Sequence, residues 1–349
     1  MNAASRTDQP PEGQVSSGGA SRRTFLKGVA LAGAAGLAAP LLASNTARAS
    51  TVGIILGGNA PGAWNPPSPT PGWASEVPGA MGCRSYRDDV ITVPSDVPAT
   101  FPGVPGSKVV ASIRPHPDVF LNGTTLDDAI RAMIADGNAN FSAPQLTSWH
   151  EAGNLYKSGT DSNGVPYSSY LTPSKVRSTH AKLQSLCHEV AGTNVEYGCI
   201  IYGDISKMAS DTDSNLNWVP TSSYPLDWYG VDVYYEGDGP DSDCTHPPLA
   251  TYDLVSQYMD GFLSMARSRS GLTWPKINVC ECNADVSDDG SRPQFFENLA
   301  QWLYNNGGRR MLTFFPDPAG PHSVSWEYVV DAAVPYTIKA LNYIQSTYG

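Results

Sequence analysis

Residues 108–154 read KVVASIRPHPDVFLNGTTLDDAIRAMIADGNANFSAPQLTSWHEAGN. The stretch opens with Lys108 to Arg114, small and β-branched residues that make a strand pattern. Leu126, Ala129, Ile130, Met133 and Ile134 then recur at spacings of three and four, which lines one face of a helix. Thr124 or Thr125 is placed to cap that helix, and Gly137 to stop it. Gln145 to Trp149 is a second strand pattern. A strand, a helix and a strand in succession make a crossover unit, which joins parallel neighbours.

The same alternation continues on both sides. Upstream lie two short strand candidates, Val52–Leu56 and Gly82–Tyr86. Downstream, Thr172-Pro173 opens a helix whose apolar face is Val176, Leu183, Leu186, Cys187 and Val190, ended by Gly192. Strands follow at Val195–Tyr202 and Trp228–Tyr234, then a helical stripe from Tyr252 to Ala266 and a strand at Ile277–Cys282. Phe295, Phe296, Leu299, Trp302 and Leu303 mark another helix, stopped by Gly307-Gly308. Met311–Phe315 is the eighth strand and Tyr336–Tyr348 the last helix. Eight strands, most of them followed by helices, predict an α/β chain closed into a (β/α)8 barrel of the TIM type. Its first two crossovers are Pro-rich and irregular, from Pro61 to Pro78 and again up to Gly106. A doubly wound open sheet would want a phosphate-binding turn after the first strand. Gly57-Gly58-Asn59 lacks the G-x-G-x-x-G spacing.

Composition bounds the function. The chain has 349 residues, 41% of them hydrophobic and 16% charged, a globular balance. Its 22 basic and 33 acidic residues give a net charge of −11, which argues against nucleic acid as a partner. Arg22-Arg23, an Ala/Gly-rich apolar run from Gly28 to Ala43, and Ala47-Arg48-Ala49 resemble a twin-arginine (Tat) export signal. The run is too short and too Ala/Gly-rich for a stable membrane anchor. We therefore expect residues 1–49 to be a leader read by the Tat machinery and residues 50–349 to be one catalytic domain. Cleavage after Ala49 removes five basic and two acidic residues and leaves 300 residues of net charge −14. The expected product is secreted or periplasmic, and monomeric. Cys83, Cys187, Cys199, Cys244, Cys280 and Cys282 lie beyond the leader. An oxidising compartment permits disulfides between them without naming the pairs.

Barrel chemistry sits where strands end at the C-terminal face. Two apolar runs carry a glutamate there: Trp149-His150-Glu151 after the fourth strand, and Cys280-Glu281-Cys282 in the seventh. Paired carboxylates across a barrel mouth are the equipment of glycoside hydrolysis. One protonates the leaving oxygen, and the other attacks or activates water. The alternative for each is a rim salt bridge. Arg114 and His116 end the third strand and could bond sugar hydroxyls, with a loop salt bridge the alternative for Arg114; Arg84 is a weaker candidate of the same kind. Trp64, Trp149, Tyr156, Tyr235 and Trp326 are placed as stacking platforms for pyranose rings. If Glu281 points inward, strand alternation turns Cys280 and Cys282 outward.

With these residues in place, the chain resembles glycoside hydrolase clan A, and most closely family 26, the β-mannanase type. The resemblance rests on His150-Glu151, on Asn122-Gly123 followed by Leu126 to Ile130, and on Asp227-Trp228-Tyr229-Gly230-Val231-Asp232-Val233-Tyr234. It runs over about residues 108–318. It implies that Glu151 is the acid/base, that Glu281 is the nucleophile, and that Tyr234 hydrogen-bonds the nucleophile. It also implies a retaining mechanism and a carbohydrate substrate, mannan being the family's leading association. His150 would orient Glu151 or touch the sugar, against a buried structural histidine. Asp232 reads as a buried structural acid. The chain departs from the family where Phe315-Pro316-Asp317-Pro318 replaces the clan's frequent tryptophan-bearing end of strand eight, and where an arginine often found upstream of His150-Glu151 is missing. No cofactor and no metal are expected. Two rival readings remain: a metal-dependent barrel hydrolase using His116, His150, Glu151 and Glu281, and a barrel that binds carbohydrate without turnover.

Overall fold

The computed structural model describes residues 53–59, 77–104, 106–190, 192–202, 215–235, 251–284, 291–313 and 334–349. The leader, Trp64, Cys244 and Trp326 lie outside these residues.

Eight parallel strands close on themselves in chain order. They are β1 (Ile55–Asn59), β2 (Gly82–Ile91), β3 (Lys108–Pro115), β4 (Gln145–Ser148), β5 (Glu196–Tyr202), β6 (Trp228–Tyr235), β7 (Ile277–Ala284) and β8 (Arg310–Thr313). Ile55 pairs with Arg310 and Gly58 with Thr313, which seals the cylinder. This is a (β/α)8 TIM barrel. The helices are α1 (Pro117–Leu121), α2 (Asp127–Asn140), α3 (Ala152–Ser158), α4 (Pro173–Glu189), α5 (Tyr252–Ser270), α6 (Ser291–Asn305) and α7 (Val334–Tyr348). Between β2 and β3 the described chain holds one short 3-10 turn, Pro94–Asp96, and no α-helix. Val97, Phe101 and Val104 are buried there instead, so a loop covers the barrel wall with apolar side chains.

Local chemistry sets the helix ends. Thr172 Oγ1 accepts from the Lys175 amide at 3.2 Å, with Pro173 in the first turn of α4. Thr251 caps α5 in the same way, and Gly271 ends it in a left-handed conformation. α2 differs from the sequence expectation at both ends. Its N-cap is Leu126, without a side-chain cap, and the helix runs through Gly137 to Asn140. Gly137 is buried, and a Cβ there would lie 2.4 Å from the Phe101 ring. The glycine makes room for the β2–β3 loop and does not stop the helix.

Strand alternation divides the core in two. Outward residues such as Val109, Ala111, Ile113, Leu146, Ile201, Val231, Val279 and Met311 pack under the helices. Each such aliphatic side chain contributes roughly 1.5–3 kcal/mol by leaving water. Inside the barrel Val110, Ile200, Trp228, Cys280 and Leu312 form an apolar plug. Gly198 makes room for it, since a Cβ there would lie 2.2 Å from the Trp228 ring. Below the plug, Asn278 Nδ2 donates to Gln145 Oε1 at 3.0 Å, Gln145 Nε2 donates to Glu196 Oε2 at 3.1 Å, and Arg310 donates to the Lys108 and Ala143 carbonyls. Above it lies a polar layer at the C-terminal ends of the strands.

One irregularity matters for that layer. Val231 of β6 pairs with Val279, but the next residue, Asp232, pairs with Glu281. Cys280 is therefore the extra residue of a β-bulge. Cys280 points into the barrel plug while Cys282 joins the outer core. This corrects the expectation that both cysteines face outward: a bulge adds one residue and breaks the period of two. Cys83, Cys187, Cys199, Cys280 and Cys282 are all buried free thiols.

Candidate active site

Glu151 and Glu281 reach the polar layer by different routes. β4 ends at Ser148, and the chain then makes a tight turn into α3. Trp149 and Glu151 both have positive φ, 48° and 52°, in the left-handed region that non-glycine residues avoid. Neighbouring groups hold this strained turn. The Trp149 amide donates to Ile113 O at 3.3 Å and the Glu151 amide to Ile200 O at 3.0 Å, so β3 and β5 grip it from both sides. The Trp149 indole N–H donates to Pro115 O at 2.9 Å. Left-handed non-glycine residues persist only where their surroundings enforce them, and they gather at functional sites.

Glu281 projects from the β7 bulge. Tyr86 Oη donates to its Oε1 at 2.5 Å, and Arg84 Nε stands 3.7 Å from the same oxygen. Arg84 is fully buried. Its other nitrogens donate to Val110 O and Ser112 Oγ at 3.3 and 3.1 Å, and its guanidinium lies 4.4 Å from the Tyr86 ring centre. Arg84 and Tyr86 share one face of β2 at the two-residue spacing of a strand. They meet Glu281 with one positive charge and one hydroxyl donor.

The environment of Glu151 is the opposite. Among the described residues its side chain accepts from Asn154 Nδ2, 3.2 Å from Oε2. Burial first, and then the charge on Glu281, push its pKa up to about 8; the Asn154 amide and the charges of Arg84 and Arg114 oppose that rise. Glu151 is thus an acid that keeps its proton at neutral pH, within electrostatic reach of a second carboxylate.

His150 lies beside Tyr86. Its ring centre is 5.4 Å from that of Tyr86, and its Nδ1 is buried without a hydrogen-bond partner among the described residues. Burial and the charges of Arg84 and Arg114 hold the imidazole well below its usual range, so it is neutral. Asp232 of β6 is fully buried beside Glu281.

Several sequence candidates are placed elsewhere. Trp149 is 1% exposed, packed edge-on against Tyr167 and Tyr170. It anchors the β4 turn from beneath and has no free face for a sugar, which corrects the stacking expectation. Arg114 pairs with Asp88 Oδ1 at 2.9 Å and donates to Tyr167 Oη at 3.0 Å. That is the loop salt bridge the sequence offered as the alternative. His116 precedes α1 and lies against Tyr170, ring centres 4.4 Å apart. Tyr156 on α3 is 40% exposed and remains available as a platform. The side chains of Tyr234 and Tyr235, like Trp64 and Trp326, lie outside the described residues. The strand register places Tyr234 opposite Asn283, and among the described residues Tyr86 brings a hydroxyl to Glu281. Tyr86 was missed in the sequence, although it follows Arg84 at strand spacing. Among the described residues, no cluster of His, Cys, Asp or Glu is arranged to hold a metal ion.

No protein-family model matches the chain, and no curated protein matches it in sequence. Solved structures do. A GH5-4 broad specificity endoglucanase from Clostridium longisporum has a TM-score of 0.56 at 9% identity, over 86% of this chain and 99% of that one. A glucosidase from Croceicoccus marinus has a TM-score of 0.52 at 12% identity, over 86% of this chain and 68% of that one. The GH26 domain of an endo-beta-mannanase/endo-beta-glucanase from Prevotella bryantii has a TM-score of 0.50 at 12% identity, over 84% and 89%. At these identities the likeness is one of fold: the barrel of this chain is the barrel those glycoside hydrolases use.

Proposed function

We propose that the chain is an exported glycoside hydrolase. It cleaves β-linked glycans by double displacement, with Glu151 as acid/base and Glu281 as nucleophile. One observation carries the reading: two glutamates at one barrel mouth have opposite surroundings. Glu151 keeps its proton up to about pH 8, as a general acid must. Glu281 faces Arg84 and Tyr86, the partners of an anion. In the first step Glu281 attacks the anomeric carbon while Glu151 protonates the departing glycosidic oxygen. In the second step Glu151, now a base, activates a water that displaces Glu281. His150, neutral and packed beside Tyr86, helps to wall the site next to Glu151.

The likeness to endoglucanases, a glucosidase and a mannanase domain supports a β-linked substrate. The His150-Glu151 pair favours a mannan-type glycan. The twin-arginine pattern of residues 22–49 supports export of a monomeric domain that begins near residue 50. The test is hydrolysis of a panel of β-mannan, β-glucan and xylan oligosaccharides, with the anomer of the first product read by proton NMR. Retained configuration is expected on at least one substrate. An inverted product, or wild-type activity in Glu151→Ala or Glu281→Ala, would end the assignment. Export is tested by fractionating cells that express the chain with Arg22-Arg23 or with both replaced by Lys.

A further inference from the structure

Asp232 is a third carboxyl in the polar layer, and neither acid role uses it. It is fully buried on β6, and the strand register sets it directly across from Glu281, at the bulge. Neither of its side-chain oxygens accepts a hydrogen bond from any donor among the described residues. Arg84, the near cation, directs its nitrogens at Val110 O, Ser112 Oγ, Ser85 O and Glu281. A buried carboxylate with no donor is strongly disfavoured. A carboxylic acid costs far less, provided its one hydroxyl finds an acceptor. The Asp232 carboxyl lies against the Glu281 carboxyl, and two carboxyls make a hydrogen bond only when one of them carries a proton. Tyr86 donates to Oε1 of Glu281, and an Asp232 hydroxyl would add to the donors on that group.

We propose that Asp232 serves as a neutral carboxylic acid whose hydroxyl donates to Glu281, making it a positioning residue that aims the nucleophile and stabilises it when it departs. The inference rests on the reading of Glu281 as nucleophile. In the first step Glu281 forms its bond to the anomeric carbon and loses its charge, and the Asp232 hydrogen bond weakens. In the second step water displaces Glu281, the C–O bond breaks, and the electron pair returns to a carboxylate that Asp232 and Tyr86 receive. The proton of Asp232 stays on Asp232 throughout. Its neutrality follows from what faces it: Glu151 after β4, Glu281, Cys280 and Cys282 on β7, and Arg84 and Tyr86 on β2. Burial, reinforced by the charge of Glu281, raises its pKa well above the ordinary carboxylate range, against the opposing charge of Arg84.

Infrared difference spectroscopy tests the protonation without reference to turnover. In a Glu151→Gln background at pH 7, the carbonyl stretch of one buried carboxylic acid is expected, and it disappears when Asp232→Asn is added. No acid band in the Glu151→Gln protein would overturn the proposal, and that result stands whether or not the chain hydrolyses any glycan. Kinetics tests the positioning role. Asp232→Asn keeps a donor, an amide N–H, and is expected to retain at least ~10-fold more kcat than Asp232→Leu. Turnover of a trapped 2-fluoroglycosyl intermediate is expected to slow more than its formation in Asp232→Leu. Equal loss in the Asn and Leu variants would overturn the donor role. So would an alkaline limb of kcat/KM that moves down by a full pH unit in Asp232→Asn, because that shift requires an ionised Asp232 beside Glu151.

Discussion

The β4 and β7 ends of the barrel carry the same side chain on different supports. Glu151 stands at the N-cap of α3, on a left-handed turn outside the sheet. Asn154 donates to it, and a neighbouring carboxylate faces it. Glu281 is part of a central strand, turned inward by a bulge, with Arg84 and Tyr86 aimed at it from β2. Few donors, burial and a nearby negative charge favour the neutral acid; a cation and a hydroxyl donor favour the anion. One residue type thus takes two roles because the surroundings differ, and those surroundings come from strands far apart in sequence.

Loss of the charged member should have the largest effect. Glu281→Ala is expected to lose at least ~10⁴-fold in kcat on every substrate, because the attacking carboxylate is removed. Glu151→Ala should lose ~10²–10⁴-fold on natural glycans and much less on aryl glycosides with good leaving groups. Azide should partly restore Glu151→Ala and yield a glycosyl azide of retained configuration. An inverted azide from that variant, with a retained one from Glu281→Ala, would exchange the two roles. In the wild type, kcat/KM should fall through an alkaline limb near pH 8, where Glu151 releases its proton. The limb should be absent in Glu151→Gln; if it persists, the limb belongs to another group.

Removing a donor from the charged side should cost less. Tyr86→Phe deletes the hydroxyl on Glu281 and keeps the ring against Arg84 and His150. A ~10-fold loss in kcat with little change in KM is expected, since the bond serves the reacting carboxylate and not the substrate. A rise in KM alone would move Tyr86 from the nucleophile to the sugar.

Much of this comparison was legible in the sequence. Eight strand patterns alternate with helical stripes because periods of two and 3.6 are local signals, and both glutamates were found because charge at the end of an apolar run is conspicuous. What escaped depends on contacts between distant segments. Gly137 reads as a stop until Phe101 is seen to fill the space beside it. Cys280 reads as outward until the bulge is counted, because periodicity assumes one partner per residue. Trp149 reads as a platform until Tyr167 and Tyr170 close over it. Tyr86 ends the run read as the second strand, which the fold extends to Ile91, and its role exists only across the barrel, 195 positions from Glu281.

A further expected effect concerns stability, and it separates the two supports without any substrate. In the unfolded chain Glu151 releases its proton at about pH 4.3, whereas in the folded chain it holds the proton to about pH 8. Its folded pKa is raised, so the native state binds the extra proton between these limits. Stability from this group is complete below about pH 4.3 and is lost as pH rises through about 8. The slope is at most ~1.4 kcal/mol per pH unit inside that window. Urea unfolding of wild type and Glu151→Gln at pH 5, 6.5 and 8 reads it directly. The wild type should lose stability relative to the variant at each step, because glutamine cannot ionise. Parallel curves would mean that the native turn after β4 holds an ionised Glu151, and the contrast between the two carboxyls would vanish with it.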